Sequence, residues 1–246
     1  MKEKDITYFE REKNEKNPIF FERFPQINYE GLKVLDLGCA HGAISIDLAV
    51  KGANEIVGVD LEPGRLDFAQ ENLKTNYPEF LHKISFKCVD FRTIKDNDFD
   101  LIISKASFEH FIDLETLLND MKNKLKVGGK IISGFGPLYN SPWGDHNRLK
   151  HSLPWTHVLL PEKYLIKRLN RQRNNKAANI QDLGLNGYSL KKYRQIFYNT
   201  DGLAVIDFRT NVSERSIMKV FNLFSSLPFL REYFTFNIYC VLERVK

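Results

Sequence analysis

Cysteine is scarce. The 246 residues contain three, Cys39, Cys88 and Cys240, far apart and with no Cys-x-x-Cys pair. That excludes a disulfide framework and a thiolate metal knuckle, and makes a reducing compartment, the cytoplasm, the expected location. Long apolar runs are missing, so no membrane span is expected. The first residues, Met1-Lys-Glu-Lys-Asp5, are charged and precede no apolar stretch of signal-peptide length. An excess of one charge is also missing. A net charge of +5 permits an anionic substrate but does not argue for nucleic acid. Internal repeats and low-complexity segments are absent as well. A hydrophobic fraction of 43% and a charged fraction of 27% are those of an ordinary globular protein. The length suits one large α/β domain carrying an insertion.

The most informative stretch is Lys33-Val-Leu-Asp-Leu-Gly-Cys-Ala-His-Gly42, then a helical run to Val50, then Glu55-Ile-Val-Gly-Val-Asp60. Val34, Leu35 and Leu37 read as a buried parallel strand ended by Gly38. Ile46, Leu48, Ala49 and Val50 have helical spacing, and Ile56 to Val59 form a second strand with Asp60 at its carboxyl end. This βαβ unit, with a glycine in its first turn and an acid after its second strand, places a ribose-bearing cofactor at the strand ends. A dinucleotide fingerprint would need glycine at positions 38, 40 and 43; the chain has Ala40 and Ala43, with its second turn glycine at Gly42. The glycine that brings backbone against a pyrophosphate is therefore missing, which counts against NAD or FAD.

Val-Leu-Asp-Leu-Gly-Cys-x-x-Gly resembles motif I of the class I S-adenosylmethionine-dependent methyltransferases. The family writes acid-x-Gly-x-Gly-x-Gly, so Ala40 departs from it, which requires position 40 either to keep a negative φ or to tolerate a Cβ. The resemblance implies that Asp36, Gly38 and the loop backbone through Ala40, His41 and Gly42 surround the methionine end of S-adenosylmethionine. It implies further that Asp60, followed by Leu61, accepts the ribose hydroxyls. Ile84 to Asp90 alternates as a third strand. In the resembled family an acid at Asp90 takes the adenine amino group and the next amide, Phe91, meets the ring; a helix N-cap is the competing role for Asp90. Phe99 to Ser104 forms a fourth strand, and Lys105-Ala-Ser-Phe-Glu-His110 resembles the post-strand motif of small-molecule methyltransferases, with Lys105 at the cofactor. The Asn/Asp-Pro-Pro-Tyr/Phe signature of base and amide nitrogen methylation is lacking.

The rest of the pattern is an amphipathic helix over 114–125, ended by Gly128-Gly129, and a fifth strand over 130–135. After an irregular segment come a helix capped by Ser189, a strand over 203–208, helical spacing over 213–227 and a last strand over 234–242. The resemblance implies a doubly wound α/β sheet of seven mostly parallel strands, ordered 3-2-1-4-5-7-6, closed by an antiparallel hairpin. Residues 1–30, aromatic and interrupted by Pro18 and Pro25, are expected as a cover of one or two short helices. Residues 31–246 form the main domain, with 137–187 as a lid insertion that selects the acceptor.

Methyl transfer asks the protein for alignment and for removal of the acceptor's proton. Histidine is the natural base near neutral pH. His146, His151 and His157 fall within twelve positions of the insertion. His146 leads as the base because Asp145 precedes it and would orient it if their side chains meet. His157 is next, and His110, pointing at the acceptor, is a third candidate. Hydrogen bonding inside the lid is the competing role for the insertion histidines, and a helix start or a supporting place behind the site is the competing role for His110. Separations of five and six positions give no helical ligand pair, so no metal centre is expected. Lys163, Lys167, Arg168, Arg171, Arg173 and Lys176 read as the solvated face of a helix over 161–176. Trp143 and Trp155 either stack on the acceptor or pack the lid. The function expected is S-adenosylmethionine-dependent methylation of oxygen or nitrogen in a small-molecule or glycan-like acceptor. A nicotinamide-dependent oxidoreductase and a non-catalytic cofactor-binding or regulatory protein are the rivals.

Overall fold

The computed structural model describes residues 1–212 and 216–246. The chain opens with α1 (Glu3–Arg11), a π-helical turn (Glu12–Lys16) and α2 (Asn17–Glu22), an unbroken helical run. Pro18 therefore does not interrupt the run, contrary to its usual effect. Proline lacks an N–H and crowds the carbonyl four residues back, and the widened π turn just before it accommodates both. That turn also swings Asn17 inward, where it is 1% exposed.

Strands β1 (Lys33–Leu37), β2 (Glu55–Asp60), β3 (Ile84–Cys88) and β4 (Phe99–Lys105) alternate with α3 (Ala43–Val50) and α4 (Pro63–Asn76). Both helices are where the sequence periodicity sets them, α4 with Pro63 in its first turn. Next, α5 (Leu114–Lys124) is capped by Asp113, whose carboxylate accepts from the Thr116 amide at 3.2 Å. Its buried stripe of Leu114, Leu117, Leu118 and Met121 faces the sheet. Removing any one of these side chains is expected to destabilise by about 2–5 kcal/mol.

Strand β5 (Leu125–Phe135) follows without a gap. The glycine pair thus lies inside the strand instead of ending the helix, and the irregular pairing between Phe99 and Leu101 absorbs it. A Cβ on Gly129 would stand 2.9 Å from the carbonyls of Lys126 and Phe99. The segment after β5 contains α6 (Thr156–Leu159) and α7 (Glu162–Asn170), and then α8 (Leu190–Asn199) begins at the Ser189 cap. It packs around an apolar cluster of its own: Leu149, Leu165, Ile166, Leu169, Ile180 and Leu183 with neighbours. The basic helix ends at Asn170, short of Lys176.

Strand β6 (Leu203–Thr210), α9 (Ser216–Ser225), α10 (Arg231–Phe234) and β7 (Ile238–Arg244) complete the chain. Residues 213–215 of the expected helix lie outside the described residues. The last strand starts four residues late, because Asn211 holds Phe234 and Phe236 in a turn through bonds of 2.7 and 2.6 Å. The sheet has seven strands ordered β3-β2-β1-β4-β5-β7-β6. β7 is antiparallel to both its neighbours, and the other pairings are parallel. Large apolar clusters cover both faces of the sheet, as a doubly wound architecture requires.

Candidate functional site

The carboxyl ends of β1, β2 and β4 converge on a cavity of about 690 Å³. Its floor is the loop after β1, where Gly38 and Gly42 take φ values of 78° and 79°. A Cβ on Gly38 would come within 2.7 Å of Ser107 Oγ, so the two strand-end loops touch there. Ala40 has φ 48°, in the left-handed region. Of the two possibilities left open by the sequence, the negative φ is overturned; the loop bends in the glycine manner and carries the methyl group, at roughly 1 kcal/mol of strain. What holds it is Asp60. One carboxylate oxygen accepts from the Ala40 amide at 2.9 Å and the other from the Glu62 amide at 2.9 Å. Each oxygen keeps a lone pair for a further donor.

Asp36 lies on the cavity wall, fully enclosed, and accepts from Ser45 Oγ at 2.6 Å. Burial pushes its carboxyl up to about 7, against the Ser45 hydrogen bond, and nearby Asp60 adds to the rise. Asp90 lies past the end of β3 and caps the short turn Phe91–Thr93, accepting from the Arg92 amide at 3.0 Å. The Arg92 guanidinium also grips it and holds its carboxyl below the usual range. Asp90 still lines the cavity with Leu61 and Phe91, and Leu61 is 71% exposed at the rim. His41 packs between Tyr8 and Phe68, and its Nε2 is 3.3 Å from Asp5. Lys105, at the end of β4, donates to Glu12 at 2.7 Å and to Asn17 at 2.6 Å. Asn17 in turn donates to Asp47 at 2.6 Å. Tyr8, Glu12 and Asn17 thereby bring the N-terminal helices into the cavity wall.

Comparison with known proteins identifies the family of the chain. The family described as "Methyltransferase domain" matches residues 28–153, half of the chain. The chain belongs to that family. Its fold is that of the class I S-adenosylmethionine-dependent methyltransferases. It is 30% identical over 165 residues to the ubiquinone biosynthesis O-methyltransferase of Idiomarina loihiensis, covering 64% of this chain and 65% of that protein. It is 28% identical over 105 residues to the ribosomal protein L11 methyltransferase of Burkholderia lata, covering 42% of this chain and 32% of that one. The chain thus spans less than two thirds of the length of these curated relatives. An S-adenosylmethionine-dependent methyltransferase from Mesorhizobium loti shares the fold, with a TM-score of 0.60, 15% identity, and coverage of 92% of this chain and 96% of that one.

Beyond Lys105 and Ala106 the molecule opens into a second cavity of about 1180 Å³, and Lys16 also borders both spaces. Phe20, Trp143, Trp155 and Phe221 give this cavity an aromatic wall, with Arg23 and Arg209 among its charges. Both tryptophans of the sequence therefore face it. The histidines divide differently from the sequence expectation. Of the three candidate bases, only His110 lines either of these cavities, the first one; its Nδ1 is 2.7 Å from the Gly184 carbonyl. His146 stands behind it with ring centres 5.5 Å apart, and its Nε2 is 2.9 Å from the Pro137 carbonyl. Burial pushes His146 below the ordinary histidine range.

Asp145 does not orient His146. Its carboxylate turns the other way, accepting from the Leu149 amide at 2.9 Å and facing His151 at 3.2 Å and His157 at 4.0 Å. His157 is 3% exposed and lines neither cavity. The basic helix also departs from a wholly solvated face, because Arg168 donates to the Leu149 and Lys150 carbonyls at 3.0 and 2.9 Å. Two residues escaped the sequence reading. Glu109 is buried beneath His110, and burial pushes its carboxyl up to about 8. Asn186 donates to the Phe108 and Phe111 carbonyls at 2.8 and 3.1 Å and so holds the turn bearing Glu109 and His110. A Glu-His pair after a strand was the available signal for Glu109; none existed for Asn186, 75 positions from Phe111.

Proposed function

We propose that this protein transfers the methyl group of S-adenosylmethionine to an oxygen or nitrogen of a small molecule with a flat apolar body and an anionic substituent. The observation carrying this reading is the meeting of the two cavities at Lys105 and Ala106, one walled by strand-end acids and loop amides, the other by aromatic rings and arginines. The donor brings an already activated methyl on a sulfonium, so the residues need only bind, align and take a proton.

Asp60 has lone pairs left for the ribose hydroxyls, and Leu61 and Phe91 with Asp90 suit the adenine. Asp36 and the Gly38–Gly42 backbone suit the methionyl end, Asp36 supplying the negative partner for the sulfonium. Phe20, Trp143 and Trp155 offer faces for a planar acceptor, and Arg23 and Arg209, partly engaged by Tyr239, Asp207 and the Arg23 carbonyl, bring positive charge to its anionic group. His110 is the general base in this reading. Its Nδ1 is occupied by a carbonyl, which leaves Nε2 as the acceptor of a proton, and His146 behind it stays neutral. The ubiquinone-pathway O-methyltransferase that the chain resembles supports an acceptor of the small-molecule class.

The test is thermal shift with S-adenosylmethionine, S-adenosylhomocysteine and NAD, on wild type and on Asp60→Ala. Stabilisation by the first two and none by NAD is expected, with the effect gone in the variant. Undiminished stabilisation of Asp60→Ala would show that the donor binds elsewhere.

A further inference from the structure

Away from both cavities, three side chains of the insertion point at one another with nothing between them. Asp145, His151 and His157 have side-chain exposures of 0%, 3% and 0%. Asp145 Oδ1, His151 Nε2 and His157 Nδ1 have no hydrogen-bond partner among the described residues, although the first two are only 3.2 Å apart. The outer atoms explain why. His151 Nδ1 is 2.9 Å from the Leu153 carbonyl, and His157 Nε2 is 2.5 Å from the Tyr139 carbonyl. A carbonyl only accepts, so each of those nitrogens carries the ring's hydrogen, and in a neutral imidazole the opposite nitrogen is a bare lone pair. The second oxygen of Asp145 is engaged by the Leu149 amide. Three buried acceptors thus converge with no donor among them, an arrangement that is costly unless a cation lies between.

The geometry is that of ligands. The histidine rings are stacked 5.3 Å apart and only 11° from parallel, and the three inward atoms lie within 4.8 Å of one another. Zinc–nitrogen and zinc–oxygen bonds of about 2.1 Å at tetrahedral angles separate ligand atoms by about 3.4 Å. The 3.2 and 4.0 Å from Asp145 Oδ1 to the two nitrogens bracket that value. A backbone carbonyl on the far nitrogen is how metal-binding histidines are held in tautomer and direction. Two imidazoles with one carboxylate select a borderline transition metal over magnesium or calcium. The five- and six-residue separations are no obstacle, because the ligands come from a turn, a loop and the short helix α6 and not from one helix.

We propose that Asp145, His151 and His157 bind one divalent transition-metal ion of the zinc class. The ion would clip together the turn at Gly144, the loop at His151 and α6, and so give the insertion its shape. Since none of the three residues lines a cavity, the ion serves structure and not methyl transfer.

The test uses untagged full-length protein, stripped with chelator and then titrated with zinc alone. Binding of about one zinc per chain, together with a higher melting temperature, is expected. The His151→Ala/His157→Ala pair should lose both effects and still be stabilised by S-adenosylhomocysteine, whose cavity is separate. Should that variant fail to fold, cobalt(II) added to the stripped wild type supplies the second readout, an intense visible absorption band of low-symmetry coordination. Wild type that takes up no zinc and shows no cobalt band overturns the proposal and leaves a buried imidazolium–carboxylate pair. Zinc uptake equal in wild type and double variant overturns it as well.

Discussion

The loop after β1 and the insertion after β5 both stand at the carboxyl end of the sheet, yet they are built on different principles. The first is backbone architecture: five residues from Gly38 to Gly42, three of them at positive φ, tied by one carboxylate to the next strand. The second is side-chain architecture: a small apolar cluster, a histidine–aspartate cluster and one arginine stapling a turn to a helix. A site made of amides and one acid tolerates drift in its other residues, so long as the chain can still bend. A site made of converging side chains changes with each substitution. The strand-end loop can thereby keep one shape while the neighbouring insertion is free to diversify.

The largest effect that separates the two regions is expected at His110, where they meet. His110→Ala should lower turnover about 10²-fold or more, as loss of a general base does, and leave S-adenosylhomocysteine affinity within a few-fold. His157→Ala should leave the rate per folded molecule nearly unchanged; steady-state kinetics on both variants decides. If the order is reversed, proton removal belongs to the interior of the insertion and the two regions are not divided as described.

A smaller, pH-dependent effect is expected at Asp36, whose carboxyl burial pushes up to about 7. Below that pH the side chain is neutral, and above it is a carboxylate. A sulfonium gains from the negative charge and a neutral thioether does not. Preference for S-adenosylmethionine over S-adenosylhomocysteine should therefore rise as pH increases through about 7. Calorimetric titration on either side of that value should show the rise in wild type and a flat ratio in Asp36→Asn. The smallest effect is expected at Ala40. Because its φ of 48° suits glycine better, Ala40→Gly should stabilise by about 1 kcal/mol, raising the melting temperature roughly 2–4 °C without moving donor affinity. A loss of stability instead would mean that the methyl group packs favourably in the loop.

The sheet, its strand order through the resemblance, and most of the strand-end residues that line the first cavity were legible in the chain, because periodic burial and strand-end acids are local signals. Asp60, Asp90 and the turn glycines stand within a few residues of the strands that place them. Errors at boundaries have local physical causes too. The π turn carries Pro18 inside a helix, the strand irregularity absorbs Gly128-Gly129, and Asn211 delays the last strand.

The insertion is the opposite case. Its sequence supplied three histidines and an aspartate, all recognised as chemistry, but not which of them meet. Asp145 precedes His146 in the chain and faces His151 and His157 in space. Adjacent side chains on a turn point apart, and only the folding of the insertion around its own apolar cluster decides which ones converge. Pairing at a distance, as with Asn186 and the turn at Phe108–Phe111, leaves no periodic trace. By itself, then, the sequence determined the cavity at the ends of β1, β2 and β4, which rests on backbone geometry and nearest neighbours. The tertiary structure alone decided how the insertion converges, which rests on contacts that a linear chain does not record.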